Sequence, residues 1–166
     1  AMSKLLGVTF TSFGLTYSSY YRRAPDSNLP ECQWIMKGLS ADEPIGNFGL
    51  VGGGAAGLEL DRYDLELGTP HRAYLLAHSE GHNDIFVSVT EESTFNARGY
   101  TQGGTGDNNP WTRADIVYYK TPNDGAVFSV GSMSWCGSLQ HNDYDNNVSQ
   151  IMQNVLNGFL KPGTLP

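Results

Sequence analysis

Basic residues are scarce in this chain: Lys and Arg total 10 against 17 Asp and Glu, which gives a formal charge of −7 and a pI near 4.9. An acidic surface repels phosphate backbones, so nucleic acid is excluded as a partner. The one basic pair, Arg22-Arg23, reads as a solvated surface pair rather than an anion site. Cysteine is scarce too. Cys32 and Cys136 alone neither build a disulfide framework nor cage a metal. They read as free thiols in a reducing compartment, which points to the cytoplasm. No apolar run approaches the ~18 residues of a membrane span, so no membrane partner is expected. The N-terminus lacks the basic region and apolar core of a signal peptide, and Ala1-Met2 reads as a tag remnant before a start methionine.

What is present suits one domain, residues 1–166. Such a chain buries roughly two-thirds of the surface its unfolded form exposes. Twenty glycines and 39% apolar residues indicate turns and long loops rather than a helical bundle. Residues 5–10 read as a first strand, 16–31 as a polar, aromatic loop holding Pro25 and Pro30, and Gln33–Lys37 as a short strand. Residues 46–57 form a glycine-rich turn, and Leu58–Asp64 is a strand or a short helix. Arg72–His78, Ile85–Val89 and Ala114–Tyr119 carry the β-branched and aromatic enrichment of strands. The polar stretch Asn96–Asn109 separates the last two as a long loop. Pro122-Asn123-Asp124-Gly125 is a hairpin turn before a strand over Ala126–Val130. Val148, Ile151, Met152, Val155, Leu156, Phe159 and Leu160 make the apolar stripe of a helix. Asp145 or Asn146 caps its start, and Pro162-Gly163 stops it.

Several motifs carry chemistry. Gly52-Gly53-Gly54-Ala55-Ala56-Gly57 fits G-x-G-x-x-G, but no strand precedes it and Pro70 limits any helix after it. A backbone needing positive φ or close approach explains it better. Glu59 and Asp61 share one face if this segment is a strand, and a carboxylate on a glycine-lined floor suits general acid–base work. A surface pairing with Arg62 is the bland reading. His78, Glu80 and His82 converge on an extended chain and resemble a metal triad, unless Gly81 turns the chain and leaves a polar catalytic loop. Ser134-Trp135-Cys136-Gly137 lacks the glycines and the following helix of a nucleophile elbow, so Cys136 is expected buried and inert. A thiol-dependent amidotransferase using Cys136 is a further possibility. His141 and Tyr144 stand in a polar run that capping alone does not explain.

Blocks along nearly the whole chain add a more specific signal. They include Tyr20-Tyr21-Arg22-Arg23, Ile45-Gly46-Asn47-Phe48-Gly49-Leu50, Gly53-Gly54-Ala55-Ala56-Gly57 with Glu59, Leu67-Gly68-Thr69-Pro70, Ser79-Glu80-Gly81-His82, Arg113-Ala114-Asp115, and Tyr144-Asp145-Asn146-Asn147-Val148-Ser149. Together they resemble the C-terminal domain of the N,N-dimethylformamidase large (beta) subunit family. The resemblance implies an α/β fold: a mixed sheet with flanking helices and long loops, related to class I glutamine amidotransferase-like (flavodoxin-like) domains without their cysteine elbow. It implies an amide hydrolase that releases formate and an amine from a small amide substrate. Iron held by two tyrosines and a glutamate is implied for the complete enzyme, with those ligands upstream of the matched segment and no cofactor in this chain. Glu59 is the residue that matches a further pocket glutamate of the family. The candidate catalytic residues are thus Glu59, as proton shuttle, with Glu80 and His82 lining or organising the pocket. The implied partners are an upstream large-subunit domain and a small subunit, in an oligomer, with this chain inactive alone. The competing reading is a non-catalytic carbohydrate-binding or assembly domain, which three Trp and nine Tyr also suit.

Overall fold

The computed structural model describes residues 2–89 and 109–161. A short helix, α1 (Met2–Leu6), leads through Gly7, at φ +79°, into the 15-residue strand β1 (Thr9–Arg23). A 3₁₀ turn over Pro25–Asn28 follows, then β2 (Ala56–Arg62), β3 (Tyr74–Glu80), β4 (Val87–Ser88), β5 (Asp115–Lys120) and β6 (Ala126–Ser129). Two helices close the chain: α2 (Ser134–Ser138) and, after a 3₁₀ turn at His141–Tyr144, α3 (Asn147–Leu160).

Among the described residues every ladder is antiparallel. The strands bond in the order β2-β1-β3-β5-β6, with β4 on β1. The gap between the end of β6 and β2 is spanned by the bridge Leu60–Ser132 and by the Asp61 N–H donating to Gly131 O at 2.8 Å. The sheet is therefore a partly closed barrel. This overturns the α/β, flavodoxin-like expectation. A parallel doubly wound sheet needs a crossover helix between successive strands. Among the described residues the strands are joined by turns and irregular segments, and both C-terminal helices come after the last strand.

β1 organises the molecule. Its first part pairs β2 on one edge and β4 on the other, and Tyr20–Arg23 pair β3. The register jumps between Gly14 and Ser18 while β2 advances only from Leu58 to Gly57, so Leu15, Thr16 and Tyr17 bulge out. Residues 16–23, expected as loop, are thus strand. Ser, Thr and Tyr suit a pleated surface, and the next proline, Pro25, stands just past the strand's end. The first strand begins at Thr9 rather than residue 5, and Gln33–Lys37 is a series of turns whose Ile35 and Met36, with the preceding Cys32, enter the core. Of Leu58–Asp64, residues 58–62 resolve as strand, the strand expected at 85–89 shrinks to Val87–Ser88, and the 115–129 hairpin forms as expected, with Asp124 at φ +60° in its turn.

The glycine-rich turn answers to close approach. A Cβ at Gly54 would lie 2.2 Å from Ser19 O, and one at Gly52, itself at φ +62°, would lie 2.5 Å from Ser18 N. The segment after the turn is strand β2, not the helix a dinucleotide fold requires. Beneath it lies a core of Tyr21, Leu60, Leu76, Ile116 and Tyr118, with Trp135 edge-on to Tyr21 at 5.7 Å. α3 adds Val148, Ile151 and Val155. Each such aliphatic burial contributes about 1.5–3 kcal/mol. The Asn146 side chain caps α3 by accepting from Ser149 N–H at 2.9 Å. The expected stop at Pro162-Gly163 and the stretch from Asn96 to residue 108 lie outside the described residues.

Candidate functional site

Glu59 stands on β2 with an exposed side chain, directly across from Phe13 on β1. Val87 on β4 flanks Phe13 on its other side. The three form one row across the sheet, with Phe13 and Val87 themselves exposed. Among the described residues no ion pair engages Glu59. Arg62, its expected surface partner, instead pairs with Asp64 at 2.8 Å, both buried, and lies over the Trp111 ring at 4.8 Å. Burial opposes ionisation of Asp64, but its bonds to Arg62 and to the Glu66 N–H prevail and hold its carboxyl below the usual range.

Glu80 and His82 lie elsewhere. Glu80 registers with Tyr20 and Glu59 with Phe13, so roughly 20 Å of β1 separates them. Glu80 pairs with Arg22 Nε at 2.9 Å, and the same guanidinium donates to Asp42 O at 2.7 Å, which accounts for the first half of the Arg22-Arg23 pair. An open cleft at this end of β3 is lined by His78, Ser79, Glu80, His82 and, across it, Thr112 and Arg113.

The chain turns at Gly81, φ +74°, and sends His82 back beneath β3. His82 is 4% exposed, its Nε2 lies 2.6 Å from Ser79 Oγ, and its ring meets Phe86 edge-on at 4.6 Å. Ser79 Oγ also accepts the Ala114 N–H at 2.7 Å. The other ring nitrogen of His82, Nδ1, is buried with no hydrogen-bond partner among the described residues. Burial lowers the His82 pKa to about 4, so the ring is neutral at pH 7. His82 thus turns toward Ser79 while Glu80 turns to Arg22. Among the described residues no group of three or more His, Cys, Asp or Glu is placed to hold a metal. The triad imagined for His78, Glu80 and His82 does not assemble, and the described residues do not fit an iron site.

Sequence reasoning missed Ser79, hidden by strand alternation between the more conspicuous His78 and Glu80. It also missed Asp115, a fully buried carboxylate that accepts from Arg113 Nε at 3.0 Å and Tyr63 N–H at 2.7 Å. Burial raises its pKa despite Arg113. Cys136 is exposed on α2, contrary to the expected burial, because α2 turns its own Ser134, Trp135 and Ser138 inward. Cys32 is the buried thiol, with its pKa pushed up to about 12 by desolvation. His141 is exposed and stacks on Phe48 at 4.2 Å.

Residues 1–146 match the family model described as N,N-dimethylformamidase beta subunit-like, C-terminal. The chain belongs to that family. It is 46% identical to the N,N-dimethylformamidase beta subunit of Alcaligenes sp, and equally to that of Paracoccus aminophilus, over all 166 of its residues. The match covers 21% of each relative, so this chain spans about a fifth of their length. Among the described residues no helix is long and apolar enough to cross a membrane.

Proposed function

We propose that this chain is one part of an amide hydrolase of the N,N-dimethylformamidase type, and that Glu59 is the proton-transferring group it contributes. The observation that carries this reading is the placement of Glu59: an exposed carboxylate without an ion-pair partner among the described residues, in register with exposed Phe13 and Val87. An apolar rim of this kind is suited to being covered. The relatives are about five times longer, and the polypeptide beyond this segment is the natural cover.

Covering Glu59 would exclude bulk water from its carboxylate and bring it against a bound amide. A carboxyl group poised there suits the reaction. Amide hydrolysis adds the water oxygen to the carbonyl carbon, breaks the C–N bond and places a proton on the departing nitrogen. Glu59 takes the proton from the attacking water and delivers it to the amine. The iron implied by the resemblance would have to be held by residues outside the described ones, and no step is assigned to it. Glu80 and His82, remote from Glu59 along β1, line the separate cleft. The formamide substrate, the companion subunit and a cytoplasmic setting belong to the same proposal.

The test is Glu59→Gln in the assembled enzyme. A fall in kcat of about 10²–10⁴-fold with an unchanged circular dichroism spectrum is expected. Turnover at the parent rate would refute the role.

A further inference from the structure

Glu59 stands next to the point where its ladder breaks. Ser12↔Leu60, Phe13↔Glu59 and Gly14↔Leu58 are in register, and pairing resumes only at Ser18↔Gly57, past the bulge. Leu58, the residue before Glu59, takes φ +62°, a left-handed backbone that L-residues other than Asn and Asp rarely adopt. The hydrogen-bonded frame therefore gives out beside the carboxylate, and packing has to fix the strands there.

That packing comes from the opposite face of the sheet. Phe13 and Glu59 point outward, whereas Gly14 is buried on the inner side. A Cβ at Gly14 would lie 2.8 Å from Phe86 Cδ1 and 3.0 Å from its Cε1 and Cγ, so the Phe86 ring lies directly against the bare backbone of β1. Gly14 is not among the glycines with positive φ, so the position uses its missing side chain rather than its freedom. Phe86 is itself 1% exposed. Behind it, the His82 ring meets it edge-on at 4.6 Å while hydrogen-bonding Ser79 of β3 at 2.6 Å. The Phe86 ring is thus wedged between β1 and a side chain tied to β3. The next residue, Val87, pairs with Phe13 and completes the row that holds Glu59. β4 rests on β1 through only two register pairs, Ser12↔Ser88 and Phe13↔Val87, and Phe86 anchors its leading end.

We propose that Phe86 is a positioning residue for Glu59. Its ring, seated under Gly14, sets how β1 and β4 lie at the break in the ladder, and with that the direction of the Glu59 carboxylate on the outer face. Being buried, Phe86 acts through the strands and not on substrate. The assignment rests on the proton-transfer reading of Glu59.

Steady-state kinetics of the assembled enzyme test it, with each variant checked for native circular dichroism. Gly14→Ala drives a methyl group into the Phe86 ring and displaces β1. kcat should fall about 10–100-fold with KM near the parent value, since a misplacement of about 1 Å can cost that much in the chemical step. Phe86→Leu, whose smaller side chain can turn aside, should lower kcat by itself. Adding Gly14→Ala to it should cost little more, because the clash has lost its partner. In a Glu59→Gln background Gly14→Ala should bring no further loss. A folded Gly14→Ala with the parent kcat overturns the positioning. So does a double variant that shows the product of the two separate losses, or a Gly14→Ala loss that persists in full without Glu59. Should Gly14→Ala fail to fold, a parent kcat in Phe86→Leu overturns it equally. Parent turnover in Glu59→Gln would remove the proton-transfer reading and this assignment with it, whereas a slow Glu59→Gln beside a parent-rate Gly14→Ala removes the positioning alone.

Discussion

Acid should destabilise this domain through His82, and the size of the effect follows from where the ring sits. Its Nε2 hydrogen-bonds Ser79 Oγ, its Nδ1 meets no partner among the described residues, and Phe86 packs against it. A proton added to such a ring is stranded in an apolar surrounding. Its folded pKa is accordingly about 4, against an ordinary value of 6.5. Above pH 6.5 the ring is neutral in both folded and unfolded chains, and the full stability is present. As pH falls below 6.5 the unfolded chain binds the proton and the folded one does not. Stability then drops by about 1.4 kcal/mol per pH unit until the folded ring also titrates near pH 4. The total loss is about 3 kcal/mol, a large share of a typical domain's margin. The assay is urea unfolding at pH 7.5, 6, 5 and 4.5 in parallel with His82→Phe, which keeps an aromatic ring and removes the titration. The variant is expected to start less stable, because the Ser79 hydroxyl loses a hydrogen-bond partner, at a cost of about 1–3 kcal/mol. Its stability should fall less steeply with acid, and the gap between the two proteins should close toward pH 4.5. Parallel pH profiles would refute the argument, because carboxylates common to both proteins would then explain the whole acid response.

Two further outcomes follow from buried groups. Asp115→Ala removes the partner of Arg113 and the acceptor for Tyr63 N–H inside the barrel, so urea unfolding should show a loss of about 3–5 kcal/mol. Iodoacetamide under native conditions should label Cys136 and spare Cys32, whose thiol is buried and held far from ionisation; equal labelling of both would show that the Cys32 region opens readily.

The parts legible in the sequence were those governed by local rules. The Asp124-Gly125 hairpin and α3 with its Asn146 cap depend on neighbours within a few residues, and both formed as their patterns indicated. The long-range parts were harder. β1 was split into a short strand and a loop because its inward residues at 18 and 19 are serines, buried through contacts with the distant Ser134 and Glu80. The flavodoxin-like fold came from resemblance alone, and the antiparallel ladders overrule it. At the candidate site, Glu59 and the Ser79–His82 segment were both conspicuous in sequence. Nothing in their spacing revealed that β1 holds them far apart, or that Ser79 is the partner His82 takes.

Composition and local pattern therefore determined, without coordinates, that this is an acidic, turn-rich domain ending in an amphipathic helix, and the blocks of matching residues named its family. Tertiary structure alone decided which side chains meet. The antiparallel register of β1 sets Glu59 beside Phe13 and Val87, and the turn at Gly81 buries His82 against Ser79 and Phe86. The physical reason is that hydrogen-bond register and burial are properties of segments far apart in the chain, and no local preference of either segment encodes its partner.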